Sequence, residues 1–356
     1  MLALVTDAFG GRGGIAQYNR DFLGAVAGAG GASVFVLPRL APDPVVTPAG
    51  IIQDPPRHDR ARYAVAAWRA ARTKQPDIIF CGHLYMAPLC ALIARLMHAR
   101  LIVQMHGIEA WPRPSRLQRA AVEAADLILC VSRFTRAAVL GWAAIAPERA
   151  VVLPNTVGAA FTPGDGSVLR AALALQNKRL LLTVGRMDAR ERYKGHERVF
   201  DAMPELITAG HDVVYLVVGE GDDRERLKAR VREAGLSDRV RFMGSVDLPK
   251  LVETYRAADM FVMPSTGEGF GIAFLEAMAC GTPALGLAVA GANDALADGE
   301  LGTGVTETGL AAALARALES PKPDREAFAG AVRSRFGCRS FTSGARAAVE
   351  RVLTRS

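Results

Sequence analysis

MFVMPSTGEGFGIAFLEAMACGTP, residues 260–283, is the stretch on which the reading of the chain turns. Its apolar start reads as a buried strand ending at Pro264. A glycine-rich loop follows and opens directly into a helix over 270–279, which Gly281 stops before Pro283 opens the next strand. Free backbone N–H groups and the helix dipole make such a loop a phosphate site. Two carboxylates stand eight residues apart, Glu268 in the loop and Glu276 two turns along the helix. Beside a phosphate, a carboxylate suits a hydroxyl donor better than the phosphate itself, so ribose and sugar hydroxyls are the expected partners.

Outward from this stretch, short apolar runs alternate with amphipathic ones. In the second half the runs 179–186, 213–221, 240–246 and 282–287 read as strands, with helices over 196–209, 222–234, 248–258 and 306–320. In the first half the strands fall at 2–7, 33–38, 77–82, 101–107 and 127–132, with helices over 16–29, 60–74, 84–98 and 115–125. Strand–helix alternation is the mark of a parallel sheet covered on both faces. The Pro, Gly, Asp and Ser cluster of FTPGDGS (161–167) reads as a linker near 158–167. The 356 residues therefore divide into two α/β, doubly wound domains, 1–160 and 165–340, with 341–356 as a last helix. Open parallel sheets bind ligands outside the carboxyl ends of their strands, which puts the ligand in a cleft between facing domains.

Composition removes other classes. Hydrophobic residues make up 50% and charged residues 22%, which is globular usage. The longest apolar stretch, 86–103, is broken by Pro88, Arg95, His98 and Arg100, so no membrane span is expected. The N-terminal MLALVTDAFGG reads as a first strand rather than a leader. Cys81, Cys90, Cys130, Cys280 and Cys338 are odd in number and far apart, which points to reduced thiols and a cytoplasmic protein.

Charge is unevenly spread. Residues 1–150 hold 17 Lys and Arg against 10 Asp and Glu, and residues 151–356 hold 26 of each, so the whole excess of +7 lies in the first half. The segment HDRARYAVAAWRAARTKQ (58–75) carries much of it, with Tyr63, Val65 and Trp68 interleaved among arginines. It reads either as a basic helix on an anionic membrane surface or as a solvated helix packed through Val65 and Trp68. Arg113, Arg116 and Arg119 form a second basic patch. No nucleic-acid-binding module is present, and no nucleic-acid partner is expected.

Further candidates stand at strand ends. Gly185-Arg186 and Lys194-Gly195 offer a guanidinium fork and an ammonium to a diphosphate. Gly219-Glu220-Gly221 allows close backbone approach to a ligand. His83 and His106 end the strands 77–82 and 101–107, with Glu109 three residues beyond. The GGRGG loop, 10–14, also fits a dinucleotide fingerprint, but the second strand ends Leu37-Pro38-Arg39, without the acid that such a site uses for ribose.

Taken together these segments resemble glycosyltransferase family 4, the retaining nucleotide-sugar glycosyltransferases of the GT-B fold. The resemblance rests on Glu268–seven residues–Glu276 within EGFGIAFLEAMACGTP. GGRGG (10–14), MHGIE (105–109), CVSRFTRAAV (130–139), VLPNTV (152–157), VGR (184–186), KG (194–195) and VGEG (218–221) support it in order. It implies two Rossmann-like domains facing across a cleft, the first for acceptor and the second for nucleotide sugar. It implies that Arg186 and Lys194 neutralise the donor diphosphate, and that Gly13 and Gly14 close over it. Phe270, Gly271 and Ile272 would line the donor site with Gly185, Gly219 and Gly221, the first two offering backbone N–H groups. Glu276 would take ribose hydroxyls, Glu268 a sugar hydroxyl, and His106 would stand beside the sugar as a catalytic residue. His83 and Glu109 are acceptor-side candidates. No metal and no cofactor is implied, the nucleotide sugar being a substrate, and the sequence has no Asp-x-Asp in a matching place. The last helix would pack back on the first domain.

The reaction so implied is hexose transfer from a GDP- or UDP-linked sugar, GDP-mannose preferred, to a glycan or lipid-linked acceptor of envelope synthesis. A non-catalytic nucleotide-sugar-binding protein is the alternative. Two departures from the family pattern stand out: Pro154-Asn155-Thr156-Val157 replaces PNGV, and the stretch 188–193, with Arg190, Glu191 and Arg192, lengthens the gap between the GR and KG pairs.

Overall fold

The computed structural model describes residues 1–27, 33–41 and 45–354. The end of the expected helix 16–29 and Arg355 lie outside the described residues. The chain forms two compact units, Met1–Thr156 with Cys338–Ser356, and Val157–Gly337.

The first unit holds a seven-stranded sheet: β1 (Leu2–Val5), β2 (Val34–Pro38), β3 (Ile51–Gln53), β4 (Ile78–Cys81), β5 (Arg100–Met105), β6 (Leu127–Cys130) and β7 (Ala150–Val152). Their order is β3-β2-β1-β4-β5-β6-β7, with every pairing parallel. Central strands such as Leu2–Val5 and Leu127–Cys130 are buried along their whole length, as a sheet covered on both faces requires. The last helix, Cys338–Thr354, lies on the helix Gly14–Ala27. Phe341 meets Tyr18 edge-on at 5.5 Å, and Arg346 Nε donates to Ala25 O at 3.0 Å.

The second unit holds six strands: β8 (Arg179–Val184), β9 (Val213–Val218), β10 (Val240–Gly244), β11 (Met260–Met263), β12 (Ala284–Leu287) and β13 (Thr303–Val305). Their order is β10-β9-β8-β11-β12-β13, again all parallel. In both sheets the chain builds outward from the first strand and then crosses to its other side. The switch points are thus β1/β4 and β8/β11, where loops diverge and leave room for a ligand.

The expected strands are present; β2 and β12 end where expected, at Pro38 and Leu287, and the others end earlier because their last residues turn into the loops beyond the sheet. Thr6-Asp7 and Gly185-Arg186 leave the sheets in this way. Three strands were missed: β3, β7 and β13 are three residues each and too short to make an apolar run. The helix expected over 270–279 begins at Ile272, because Gly271 sits at φ +98°, outside the helical region. Glu276 is consequently the fifth helical residue, one turn in rather than two. The stretch 158–167 is not a free tether. Phe161 is buried edge-on against Tyr255 at 5.9 Å, and Arg256 Nε donates to Thr162 O at 2.9 Å.

The basic helix spans Arg60–Lys74, capped by Asp59, whose carboxylate accepts from Arg62 N. It packs through Tyr63, Ala67 and Ala71, with Trp68 half-buried against the same core, whereas Val65 is exposed. Tyr63 donates its hydroxyl to Leu37 O at 2.8 Å. Its two aromatic residues therefore serve the sheet, and packing through Val65 does not occur. Among the described residues no helix is long and apolar enough to cross a membrane.

Candidate active site

At the β8/β11 switch point of the second unit, three of the expected residues come together. Lys194 ends the short irregular 3-10 stretch Ala189–Lys194 that follows β8. Its Nζ lies 3.1 Å from Glu268 Oε1, which comes from the loop after β11. The two side chains are 14% and 12% exposed, so the pair is largely withdrawn from water. Thr266 N donates to Tyr193 O at 2.9 Å and ties the two loops together. Arg186 is 70% exposed and is held by Glu191, and by Asp188 at 3.4 Å.

Gly271 leads into the helix Ile272–Ala279. Phe270 is buried edge-on against Phe336 at 5.7 Å, so only its backbone is available to a ligand. Ile272 is half-buried. Gly185 lies against the Lys194 methylenes, where an added Cβ would meet Cδ at 3.4 Å. Gly219 and Gly221 do allow a close approach, but to the neighbouring backbone. A Cβ on Gly219, at φ +139°, would stand 2.0 Å from Gly185 O, and one on Gly221 2.2 Å from the Met187 carbonyl. They shape the loop that carries Arg186 and do not present themselves to open space.

Glu276 is 7% exposed and accepts the Tyr255 hydroxyl on Oε2 at 2.8 Å. Burial raises its pKa to about 7, against the lowering effect of the Tyr255 bond. Tyr255, on the helix Leu248–Ala257, was missed. It stands 21 residues upstream, and an aromatic on an apolar helix face carries no signal of a polar task.

The first unit gathers the acceptor-side candidates at the ends of β4 and β5. The His83 and His106 rings lie 6.0 Å apart, and Tyr18 meets His106 edge-on at 5.4 Å. Glu109 accepts from His106 N at 2.5 Å. His106 Nε2 faces Gly82 O at 2.9 Å, and a carbonyl only accepts, so Nε2 carries the proton and Nδ1 is an acceptor in the neutral ring. His83 Nδ1 accepts from Tyr85 N at 3.2 Å, which leaves the proton on Nε2. Burial depresses both histidines to about 4. At neutral pH the pair thus offers one acceptor and one donor, uncharged.

Gly13 and Gly14 open the helix Gly14–Ala27, and a Cβ on either would meet nothing within 4 Å. The loop before them is braced. Arg20 donates to Ala8 O at 2.9 Å and Gly11 O at 2.7 Å, while Gln53 exchanges hydrogen bonds with the Phe9 backbone at 3.0 and 3.2 Å. Asp7, two residues beyond β1, accepts from Ala8 N on Oδ1 at 2.8 Å, and burial raises its pKa. Among the described residues no group of three or more His, Cys, Asp or Glu is placed to hold a metal ion.

Comparison with known proteins follows the same division. Residues 168–335 match the family of glycosyl transferases group 1, and residues 12–161 match glycosyltransferase family 4. The 2-deoxystreptamine N-acetyl-D-glucosaminyltransferase of Streptomyces fradiae is 32% identical over 259 residues, 64% of this chain and 61% of that protein. A D-inositol 3-phosphate glycosyltransferase of Kribbella flavida is 30% identical over 268 residues, 67% of this chain and 62% of that protein. The chain thus spans about three-fifths of the length of these curated relatives. Among solved structures, the sucrose-phosphate synthase of Thermosynechococcus elongatus superposes with a TM-score of 0.79 at 24% identity, over 100% of this chain and 99% of that one. Anabaena Alr3699/HepE, in complex with UDP and glucose, superposes with a TM-score of 0.78 at 19% identity, over 98% and 99%. The fold is that of the GT-B glycosyltransferases. The two family models match its two halves in turn.

Proposed function

We propose that this protein is a retaining glycosyltransferase that moves a hexose from a nucleotide sugar to an acceptor hydroxyl, without a metal. The observation that carries the reading is the Lys194–Glu268 pair at 3.1 Å beside the exposed Arg186. A glycosyl diphosphate needs, on either side of its scissile C–O bond, a cation in hydrogen-bond reach of the phosphate and an acceptor in reach of a sugar hydroxyl. These two side chains supply both.

Arg186 and Lys194 stabilise the charge that develops as the anomeric C–O bond breaks and its electron pair leaves with the nucleoside diphosphate. The acceptor oxygen bonds to the anomeric carbon on the face from which the diphosphate departs, and its proton passes to the leaving phosphate oxygen. Glu268 holds the sugar and Glu276 the ribose, while the His83–His106–Glu109 cluster of the first unit serves the acceptor.

For the donor, the UDP complexes of the HepE structures favour a UDP-linked sugar over GDP-mannose. For the acceptor, a glycan or lipid-linked sugar of envelope synthesis is one reading. A small polyhydroxylated ring is favoured by the relatives named for 2-deoxystreptamine and D-inositol 3-phosphate. The basic first half supports docking at the inner, anionic membrane face; liposome flotation with and without anionic lipid tests this. The deciding experiment is donor turnover by the purified protein. Release of nucleoside diphosphate that is abolished in Glu268→Ala, with the fold intact by circular dichroism, supports the enzyme. Tight donor binding with no turnover in the presence of any candidate acceptor supports the non-catalytic alternative.

A further inference from the structure

The proposed diphosphate site contains a carboxylate for which the transfer reaction has no use. Glu191 lies in the stretch Ala189–Lys194, between the two cations in sequence. Its Oε1 accepts from Arg186 Nη2. Its Oε2 is 4.0 Å from Lys194 Nζ and is buried without a hydrogen-bond partner. The side chain is only 14% exposed, so it is not a solvated surface acid. Its backbone, at φ −115° and ψ 25°, departs from the helical turn around it, and its N–H donates to Asp188 O at 2.8 Å. Asp188 also pairs with Arg186, and Glu268 with Lys194. Two cations therefore face three carboxylates, which is no net attraction for an anion.

Resting on the reading of Arg186 and Lys194 as the diphosphate cations, we propose that Glu191 is a built-in competitor for the donor. Its carboxylate stands where a donor phosphate belongs, and a nucleoside diphosphate binds by displacing it. The carboxylate keeps both cations positioned in the empty site. An anion replaces it only by engaging both cations, as a diphosphate does. After transfer, the returning carboxylate promotes release of the nucleoside diphosphate. The unpartnered Oε2 marks the weak end of the arrangement, the contact that a phosphate oxygen improves upon.

Calorimetric titration of UDP, GDP and inorganic pyrophosphate into the full-length protein tests this, with Glu191→Gln, Glu191→Ala and Lys194→Ala beside the wild type. The expected result is a dissociation constant about tenfold lower in both Glu191 variants, and a higher one in Lys194→Ala. A gain of affinity cannot be mimicked by misfolding. Unchanged or weaker binding in both Glu191 variants, with Lys194→Ala weakened, overturns the competitor and leaves Glu191 a brace for the cations. If Lys194→Ala binds as the wild type does, the diphosphate site itself is misplaced. If none of the three ligands binds the wild type, the Glu191 variants are expected to reveal binding, and silence there too overturns the proposal.

Discussion

The Tyr255 hydroxyl donates a 2.8 Å hydrogen bond to the Glu276 carboxylate inside the second unit, and both side chains are buried. The bond fixes one carboxylate oxygen, and the proposed ribose contact uses the other. Removing it in Tyr255→Phe takes away the hydrogen bond that lowers the Glu276 pKa, already raised by burial to about 7. Nucleotide affinity is expected to fall several-fold at pH 7, the preference for ribo- over 2′-deoxyribonucleoside diphosphate to shrink, and the acid limb of the binding profile to move to higher pH. Titration calorimetry at several pH values measures all three.

The same carboxyl sets a stability trend. A carboxyl whose folded pKa lies near 7 instead of 4.5 holds its proton more tightly in the folded state. The free protein then loses stability as pH rises from about 4.5 to about 7, by up to about 3 kcal/mol for this group. Three histidines act in the opposite direction. His83, His106 and His196 are depressed to about 4. Their contribution is complete above 6.5 and is lost as pH falls toward 4. Thermal melts of Glu276→Gln are expected to lack the first trend and to keep the second.

Lys194 and Glu268 separate binding from chemistry. Glu268→Gln is expected to lower kcat by about 10²- to 10³-fold while leaving the affinity for nucleoside diphosphate within a few-fold of wild type. Lys194→Ala is expected to weaken both. Steady-state kinetics and calorimetry on the same preparations check the split.

Backbone geometry predicts two glycine variants of opposite severity. Gly219→Ala puts a Cβ 2.0 Å from Gly185 O at a φ of +139° and is expected to abolish folding of the second unit or to cost more than about 3 kcal/mol. Gly13→Ala meets nothing within 4 Å at a φ of +89° and is expected to cost about 1 kcal/mol. Denaturant unfolding distinguishes them.

The alternation of apolar and amphipathic segments made both sheets legible, because buried parallel strands must be apolar throughout. The family resemblance put Lys194 and Glu268 at one donor site, and the two side chains meet at 3.1 Å. What spacing did not reveal was competition among side chains. Glu191 was visible only as part of an enlarged gap, although it holds Arg186 in the folded chain. Tyr255 was hidden because a buried tyrosine is hydrophobic by pattern and polar at one atom only. For the basic helix the pattern left a membrane face and packing on the sheet equally open; the Tyr63 and Trp68 rings serve the sheet, and Val65 is exposed.

The central claim is that the second unit holds a nucleoside diphosphate between Arg186, Lys194 and the loop carrying Glu268, with Glu276 on the ribose. Calorimetric binding of UDP, GDP and ADP to the wild type and to Glu276→Ala tests it most directly. The account predicts that one nucleotide, UDP before GDP, binds clearly and loses at least about tenfold affinity in the variant. Equal binding of that nucleotide to the wild type and to a folded Glu276→Ala protein would contradict it.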